Sequence, residues 1–118
     1  MLVIFIGSAA ANPRAGFSSY RDARLLCTEN VFGNSMEIEW SSYASKDDVA
    51  TITAWYEKSS GRTSTTGSKQ EKHLEYDADH MLDIYPATKN DDFPHCDKKP
   101  DKSEKSVILM SHAMRKKP

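Results

Sequence analysis

The stretch Ser45–Gly61 reads SKDDVATITAWYEKSSG and carries the clearest helix signal in the chain. Ser45 can cap the first turn, and the two aspartates that follow suit the positive end of a helix dipole. Four apolar side chains recur at i, i+3, i+6 and i+7 and share one face: Val49, Ile52, Trp55 and Tyr56. Gly61 fits a left-handed C-cap. The stretch predicts a helix from Ser45 to Ser60 whose aromatic pair faces the core rather than forming a ligand platform.

Four segments carry strand patterns: Met36–Tyr43, Glu71–Tyr76, His80–Tyr85 and Ser106–His112. In the first, apolar residues at 36, 38 and 40 alternate with polar ones, which predicts one wet face that also carries Tyr43. A turn over 77–79 is predicted to join the second and third segments as a hairpin. The unbroken apolar run Val107–Met110 predicts a central strand covered on both faces.

Phe17–Asn30 is predicted to form a short N-terminal helix, because Ala23, Leu26 and Cys27 fall at helical spacing. The predicted fold class is α+β. Two layers are expected: an antiparallel sheet of about four strands, and one long amphipathic helix packed on one of its faces. The predicted core is Leu26, Ile38, Trp40, Val49, Ile52, Trp55, Tyr56, Leu74, Leu82, Ile84, Ile108 and Met110.

Cys27 and Cys96 are the only cysteines. We predict that they form one disulfide, which the chain-entropy model values at about 4 kcal/mol for a closed loop of this length. The alternative is two buried free thiols in a cytosolic protein. The polar segment Ala87–Lys105 is a long loop for so small a domain, and Phe93 and Cys96 are the residues expected to pin it.

The first eleven residues, MLVIFIGSAAA, combine an apolar run with small residues that match an A-x-A cleavage pattern. They are interpreted as a truncated signal peptide, with residues 12–118 as a single domain. The alternative is that Leu2–Ile6 is a buried strand, because a positively charged start and a longer apolar centre are both lacking. The export interpretation places the protein in the periplasm or outside the cell.

The chain has 118 residues and a formal net charge of -1. This length indicates one domain, and the balanced charge argues against nucleic acid as a partner. No apolar stretch approaches the roughly 18 residues or more that span a bilayer, so no membrane span is predicted. No dinucleotide, P-loop or nucleophile-elbow motif is present, and no cofactor is predicted.

Histidines and aspartates are the candidates for chemistry. Asp77, Asp79 and His80 form a D-x-D-H pattern of hard-oxygen and imidazole ligands that could hold a divalent ion, although a solvated turn explains the same residues. An enzyme would need His73, His80 or His112 in a pocket beside a carboxylate. His95 beside Cys96 is a poor nucleophile pair, because adjacent side chains on an extended segment point apart.

Two segments carry a further pattern: Asp47-Asp48 with Val49, Ile52 and Trp55-Tyr56-Glu57-Lys58, and Asp92-Phe93-Pro94-His95-Cys96 ahead of Val107-Ile108-Leu109. Together they resemble small exported bacterial α+β proteins of unknown function. The matches cover about half of the chain from Met36 onward. The resemblance implies an exported α+β domain with its two cysteines paired, and it supplies no catalytic residues.

The function expected from the sequence is a non-catalytic exported domain that binds a protein partner or a small-molecule ligand. Its binding surface is expected on the open sheet face or on the Ala87–Lys105 loop. The alternatives are a small hydrolase-like enzyme using histidine and carboxylate residues, and a metal-binding protein using Asp77, Asp79 and His80.

Overall fold

The computed structural model describes residues 16–115, so the predicted leader at 1–11 lies outside the described residues. In chain order the elements are β1 (Arg24–Phe32), β2 (Met36–Ser45), α1 (Val49–Ser60), β3 (Thr65–Thr66), β4 (Lys72–Asp77), β5 (His80–Pro86), a 3₁₀ helix (Ala87–Asp92) and β6 (Ser106–Arg115). The strands form one antiparallel sheet in the order β1-β2-β6-β5-β4-β3. The last strand in the sequence therefore lies between β2 and β5.

The predicted fold class is wrong. The described chain is mostly sheet, with six strands instead of about four, and its α-helix is twelve residues long. The predicted N-terminal helix over 17–30 does not form, because Arg24–Phe32 is the edge strand β1. Between α1 and β4 lies the short strand β3, whose residues Thr65 and Thr66 pair with His73 and Lys72.

A β-bulge explains why β1 looks helical in the sequence. The register of β1 against β2 shifts between Leu25 and Cys27, so one extra residue is inserted there. Leu26 and Cys27 then lie on the same face, where Leu26 is buried and Cys27 packs beside it. In the sequence, Leu26 and Cys27 therefore look like two neighbours on one face of a helix. The pairing with β2 outweighs this local helix signal and makes the segment a strand.

The helix α1 begins later than predicted because β2 continues to Ser45. Asp48 is the N-cap, and its carboxylate accepts a hydrogen bond from the backbone N–H of Thr51 at 2.9 Å. The predicted C-cap is confirmed: Gly61 adopts a left-handed conformation with φ 73°, and its N–H bonds to the carbonyl of Glu57.

One face of the sheet packs against α1. Ile52 and Tyr56 of α1 are fully buried against four side chains of the central and neighbouring strands: Leu74, Leu82, Ile84 and Ile108. Tyr20, from the segment before β1, joins this cluster, and Tyr43 packs against it. Tyr43 therefore faces α1 and not water, which corrects the predicted wet face of β2.

The opposite face is covered by the segment between the 3₁₀ helix and β6. Phe93 stacks on Tyr85 with ring centroids 3.9 Å apart, and Cys96 packs against Leu26 and Ala44. The predicted disulfide joins Cys96 to Cys27 of β1, with Cα atoms 5.8 Å apart. The sheet is thus enclosed by a helix on one side and a pinned irregular segment on the other.

The central position of β6 is confirmed. It pairs with β2 and β5, and its residues Ser106–Leu109 are buried. Of the predicted core, Ile38 is wrong, because its side chain is 37% exposed. Seven predicted residues are buried and four are partly buried at the edge of the core. Within residues 16–115, six buried apolar residues are absent from the predicted core: Tyr20, Ala44, Tyr85, Cys96, Val107 and Leu109.

Candidate functional site

A cavity of about 250 Å³ lies between residues 16–19 and the sheet face that carries α1. Its sheet wall consists of six side chains: Glu39, Ser41 and Tyr43 from β2, His80 from β5, and Met110 and His112 from β6. We call this cavity the histidine pocket. It is the site in the described chain where polar and titratable side chains from three strands meet.

The strand register explains why these side chains meet. Glu39 pairs with His112, and His112 pairs with His80, so the three form one row across the sheet. Cross-strand neighbours on one face have Cβ atoms roughly 5 Å apart. The parallel row Tyr43–Ile108–Ile84, four residues along β2, belongs to the apolar core. The pocket therefore forms where the apolar rows under α1 give way to a polar one.

Asp77 fixes the orientation of the His80 ring. His80 Nδ1 donates to Asp77 Oδ1 at 2.8 Å, and the same oxygen accepts the backbone N–H groups of Asp79 and His80 at 2.9 Å each. The His80 contact, followed by these backbone bonds, holds the pKa of the Asp77 carboxyl below its ordinary value. Because the carboxylate accepts from Nδ1–H, the neutral ring carries its lone pair on Nε2.

The His80 ring is also held by packing. It stacks on His112 with centroids 4.3 Å apart and planes 12° from parallel, and Tyr76 meets its edge at 6.4 Å. Gly16, with φ 125°, approaches so closely that a Cβ there would lie 2.7 Å from His80 Cδ2. His80 Nε2 is buried and has no hydrogen-bond partner within residues 16–115. A buried acceptor of this kind is costly unless a partner reaches it.

The residues of the metal hypothesis lie in one turn, but their carboxylates serve the fold. Asp77 supports the turn and the His80 ring, and Asp79 Oδ1 accepts from Arg115 Nε and Nη2 at 2.9 Å each. Within the described chain, no group of three or more His, Cys, Asp or Glu side chains is placed to hold a metal ion. Both carboxylates of this pattern are thus engaged in hydrogen bonds within the fold.

Neither remaining histidine reaches the pocket. His73 lies on the opposite sheet face, where its Nδ1 and Nε2 contact Asp83 at 2.8 Å and Glu75 at 3.1 Å. His95 Nδ1 donates to the carbonyl of Phe93 at 2.8 Å. The neighbouring Cys96 is held in the disulfide and is not a nucleophile.

Stability is expected to fall as pH rises through the titration of His73. Burial lowers the pKa of His73, but the hydrogen bonds to Asp83 and Glu75 outweigh it, so the folded-state pKa is raised. The stabilisation is then complete below the unfolded pKa of about 6.5 and is lost as pH passes the raised folded value. Urea unfolding at several values from about pH 6 to 8.5 measures the decline.

The matched variants for this experiment are His73→Gln and His95→Gln. His73→Gln is expected to flatten the decline in this pH range, and His95→Gln, at an exposed position, is expected to leave it unchanged. An unaltered slope in His73→Gln would show that the Asp83–His73–Glu75 contacts do not contribute to the pH dependence.

The search against protein-family models, curated proteins and solved structures finds no match for this chain. Over residues 16–115, no helix is long and apolar enough to cross a membrane.

Sequence reasoning found part of the site. His80, His112 and Asp77 were singled out, and the structure brings them together with Glu39. The sequence predicts Glu39 and Tyr43 on a wet strand face and Phe17–Ser19 at the start of a helix, which the structure corrects. The alternation in β2 correctly places Glu39, Ser41 and Tyr43 on one face of the strand, and that face lines the pocket.

Proposed function

We propose that this protein is an exported, non-catalytic domain that binds a small molecule in the histidine pocket. The observation that carries the proposal is the buried Nε2 of His80, fixed as an acceptor by Asp77 at the wall of a cavity. At about 250 Å³ the cavity is slightly smaller than typical sites for drug-sized ligands, roughly 300–1,000 Å³. The ligand is accordingly small.

Export from the cytosol is a separate part of the proposal. The Cys27–Cys96 disulfide supports it, since such bonds persist in oxidising compartments and are rare in the cytosol. The small residues at 7–11 fit a cleavage site and point the same way. The resemblance of two sequence segments to small exported bacterial proteins also favours export.

A fragment screen by NMR tests ligand binding. Titrating small neutral, cationic and anionic fragments into ¹⁵N-labelled protein is expected to shift the amide signals around His80, His112 and Tyr43. Ser41→Phe, which places a ring in the pocket wall, is expected to abolish these shifts.

Thr28→Phe is the matched control. Ser41 Oγ and Thr28 Oγ1 share one hydrogen bond of 2.8 Å on the same sheet face, so both variants lose that bond and gain the same ring. Thr28 is exposed and lies outside the pocket. Fragment shifts that survive Ser41→Phe, or that vanish equally in Thr28→Phe, would contradict the proposed site.

A second candidate is acid–base catalysis, because the Asp77–His80 contact is the arrangement that orients a general base. His80 Nε2 would take a proton from water as the water oxygen attacks an ester carbonyl, and would give that proton to the departing alkoxide as the C–O bond breaks, so that acid and alcohol are formed and the imidazole is restored. This candidate ranks second because Nε2 is buried, and within residues 16–115 no serine hydroxyl or cysteine thiol is hydrogen-bonded to it.

Hydrolysis of p-nitrophenyl acetate distinguishes the two candidates. General-base catalysis predicts that His80→Gln lowers the rate by about 100-fold or more. His95→Gln corrects for the background from exposed imidazole. Binding without catalysis predicts that His80→Gln lowers the rate no more than His95→Gln does.

A further inference from the structure

The sheet ends on one side at β1, which is a long edge strand. Within residues 16–115 it pairs with β2 on one side and with no strand on the other, so one row of its backbone N–H and C=O groups points away from the sheet. The opposite edge is different, because β3 has only two residues there. Of the two edges, β1 is therefore the one with the length to pair with a further strand.

The second half of β1 lacks three features that protect edge strands, namely bulges, prolines and lysines. The bulge lies before Cys27, and the five residues Thr28–Phe32 include no proline and no lysine. All five residues are exposed. This half of β1 is thus a regular, exposed template for strand pairing, of the kind that peptides use when they add a strand to a sheet.

Apolar exposure is concentrated at the same edge. Val31 is 55% and Phe32 is 68% exposed. The other exposed large apolar side chains of the described chain, Leu25 and Ile38, also lie on β1 and β2. Such side chains gain free energy when an added strand covers them. The edge therefore favours a partner strand that brings apolar side chains of its own.

The two faces of this edge differ in chemistry. Thr28 and Asn30 pair with residues of β2 that line the histidine pocket, so Phe32 lies on that face by alternation. Glu29 and Val31 lie on the face that carries the disulfide. Glu29 is the one charged residue in this half of the strand. An added strand thus meets an aromatic ring on one face, and a carboxylate beside an apolar side chain on the other.

The charge of Glu29 distinguishes between the occupants that could pair here. A second copy, paired antiparallel through the same residues, would place the two Glu29 carboxylates opposite or diagonal to each other on one face, where like charges destabilise the pair. A strand with a lysine or arginine at that point gains an ion pair instead, and the alkyl stem of its side chain covers Val31. A cationic strand is therefore favoured over a second copy.

We propose that Thr28–Phe32 of β1 binds an extended segment of a partner protein in which cationic and apolar side chains alternate. The segment adds a further strand to the sheet. Backbone hydrogen bonds supply the pairing, Val31 and Phe32 supply apolar contacts, and Glu29 selects the cationic side chains. This surface goes beyond the small-molecule site in the histidine pocket, and neither proposal depends on the other.

Three synthetic peptides of equal length test the proposal. In the first, lysine alternates with valine; in the second, glutamate replaces lysine; in the third, a central proline interrupts the first sequence. Each is titrated into the ¹⁵N-labelled full chain at neutral pH and low ionic strength. The lysine peptide is expected to shift the amide signals of residues 28–32 and to slow the hydrogen exchange of alternate amides there, because new backbone hydrogen bonds form.

The peptides are expected to differ in affinity. The lysine peptide is expected to bind about tenfold more tightly than the glutamate peptide, because an attraction to Glu29 is replaced by a repulsion. The proline peptide is expected not to bind, because proline cannot donate to the strand pair.

Glu29→Gln tests the selection of cationic side chains. It is expected to weaken binding of the lysine peptide about threefold, the value of one exposed ion pair, and to strengthen binding of the glutamate peptide. Asp92→Asn is the matched control, because it removes one exposed negative charge from the 3₁₀ helix, which packs near β5 and β6. This variant is expected to bind the lysine peptide as the wild type does.

Several outcomes would overturn the proposal. If every amide of residues 28–32 is already protected from exchange in the protein alone, the edge is occupied, by a second copy if sedimentation shows a dimer and by the chain itself if it shows a monomer. If the glutamate peptide binds as tightly as the lysine peptide, or Asp92→Asn weakens binding as much as Glu29→Gln, the selection by Glu29 is wrong. If no peptide shifts these amides, the edge does not accept a strand. None of these results bears on the fragment screen of the histidine pocket.

Discussion

Removing the Cys27–Cys96 disulfide is expected to lower the free energy of unfolding by about 4 kcal/mol. The bond joins residues 69 positions apart, and cutting it restores the freedom of a long loop in the unfolded chain. A loss of this size is a large part of the net stability of a small domain. Urea unfolding of Cys27→Ala/Cys96→Ala against the wild type measures it.

The structure adds a local consequence to this prediction. Cys96 anchors the segment that covers Tyr85, Val107 and Leu109, so its release exposes that sheet face first. Reductant added to the wild type is expected to reproduce the loss, and reductant added to the double variant is expected to do nothing. A loss below about 1 kcal/mol would show that the segment packs on the sheet without its covalent anchor.

Tyr56→Ala is expected to lower the free energy of unfolding by roughly 3–5 kcal/mol, the range found when a large aromatic side chain in a core is replaced by alanine. Tyr56 is fully buried, and its ring meets those of Phe17, Tyr20 and Trp55 with centroids 4.9–6.1 Å away. Its hydroxyl donates to the carbonyl of Ser18 at 2.6 Å. The substitution thus leaves a cavity between α1, the segment before β1 and the sheet.

Two further variants separate the parts of this loss. Tyr56→Phe keeps the ring and removes the hydrogen bond to Ser18, so it is expected to lower the free energy of unfolding by about 1 kcal/mol. Lys58→Ala, at an exposed position of the same helix, is expected to change the free energy of unfolding by less than about 0.5 kcal/mol. Equal losses for Tyr56→Ala and Lys58→Ala in urea unfolding would contradict the burial of the ring.

Ser18 connects this prediction with the histidine pocket, because the segment that Tyr56 holds is also the pocket wall. Tyr56→Phe therefore loosens residues 16–19 while keeping the core filled. The bond from α1 to Ser18 thus holds the segment that closes the pocket over the sheet.

The histidine pocket shows which parts of the site can be predicted from the sequence. The contact between Asp77 and His80 is local, within one turn, and the D-x-D-H pattern in the sequence indicates it. Glu39 and His112 are distant from that turn in the sequence. They meet His80 because β6 is inserted between β2 and β5, and no periodicity within a single segment encodes that order.

The edge strand β1 shows which features of the fold the sequence alone does not predict. Local spacing predicted a helix at 17–30, whereas a bulge and the pairing with β2 made Arg24–Phe32 extended. The helix start was misplaced for a related reason: both Ser45 and Asp48 are good capping residues, and only the length of β2 decided between them.

By itself the sequence determined the elements whose signals are local. These are the amphipathic helix with its glycine cap, the 77–80 hairpin turn and the apolar run of a central strand. The single pair of cysteines belongs with them. Only the tertiary structure decided the strand number, the register and the use of both faces of β2. The physical reason is that periodicity reports which side of an element avoids water, whereas strand pairing depends on partners distant in the chain.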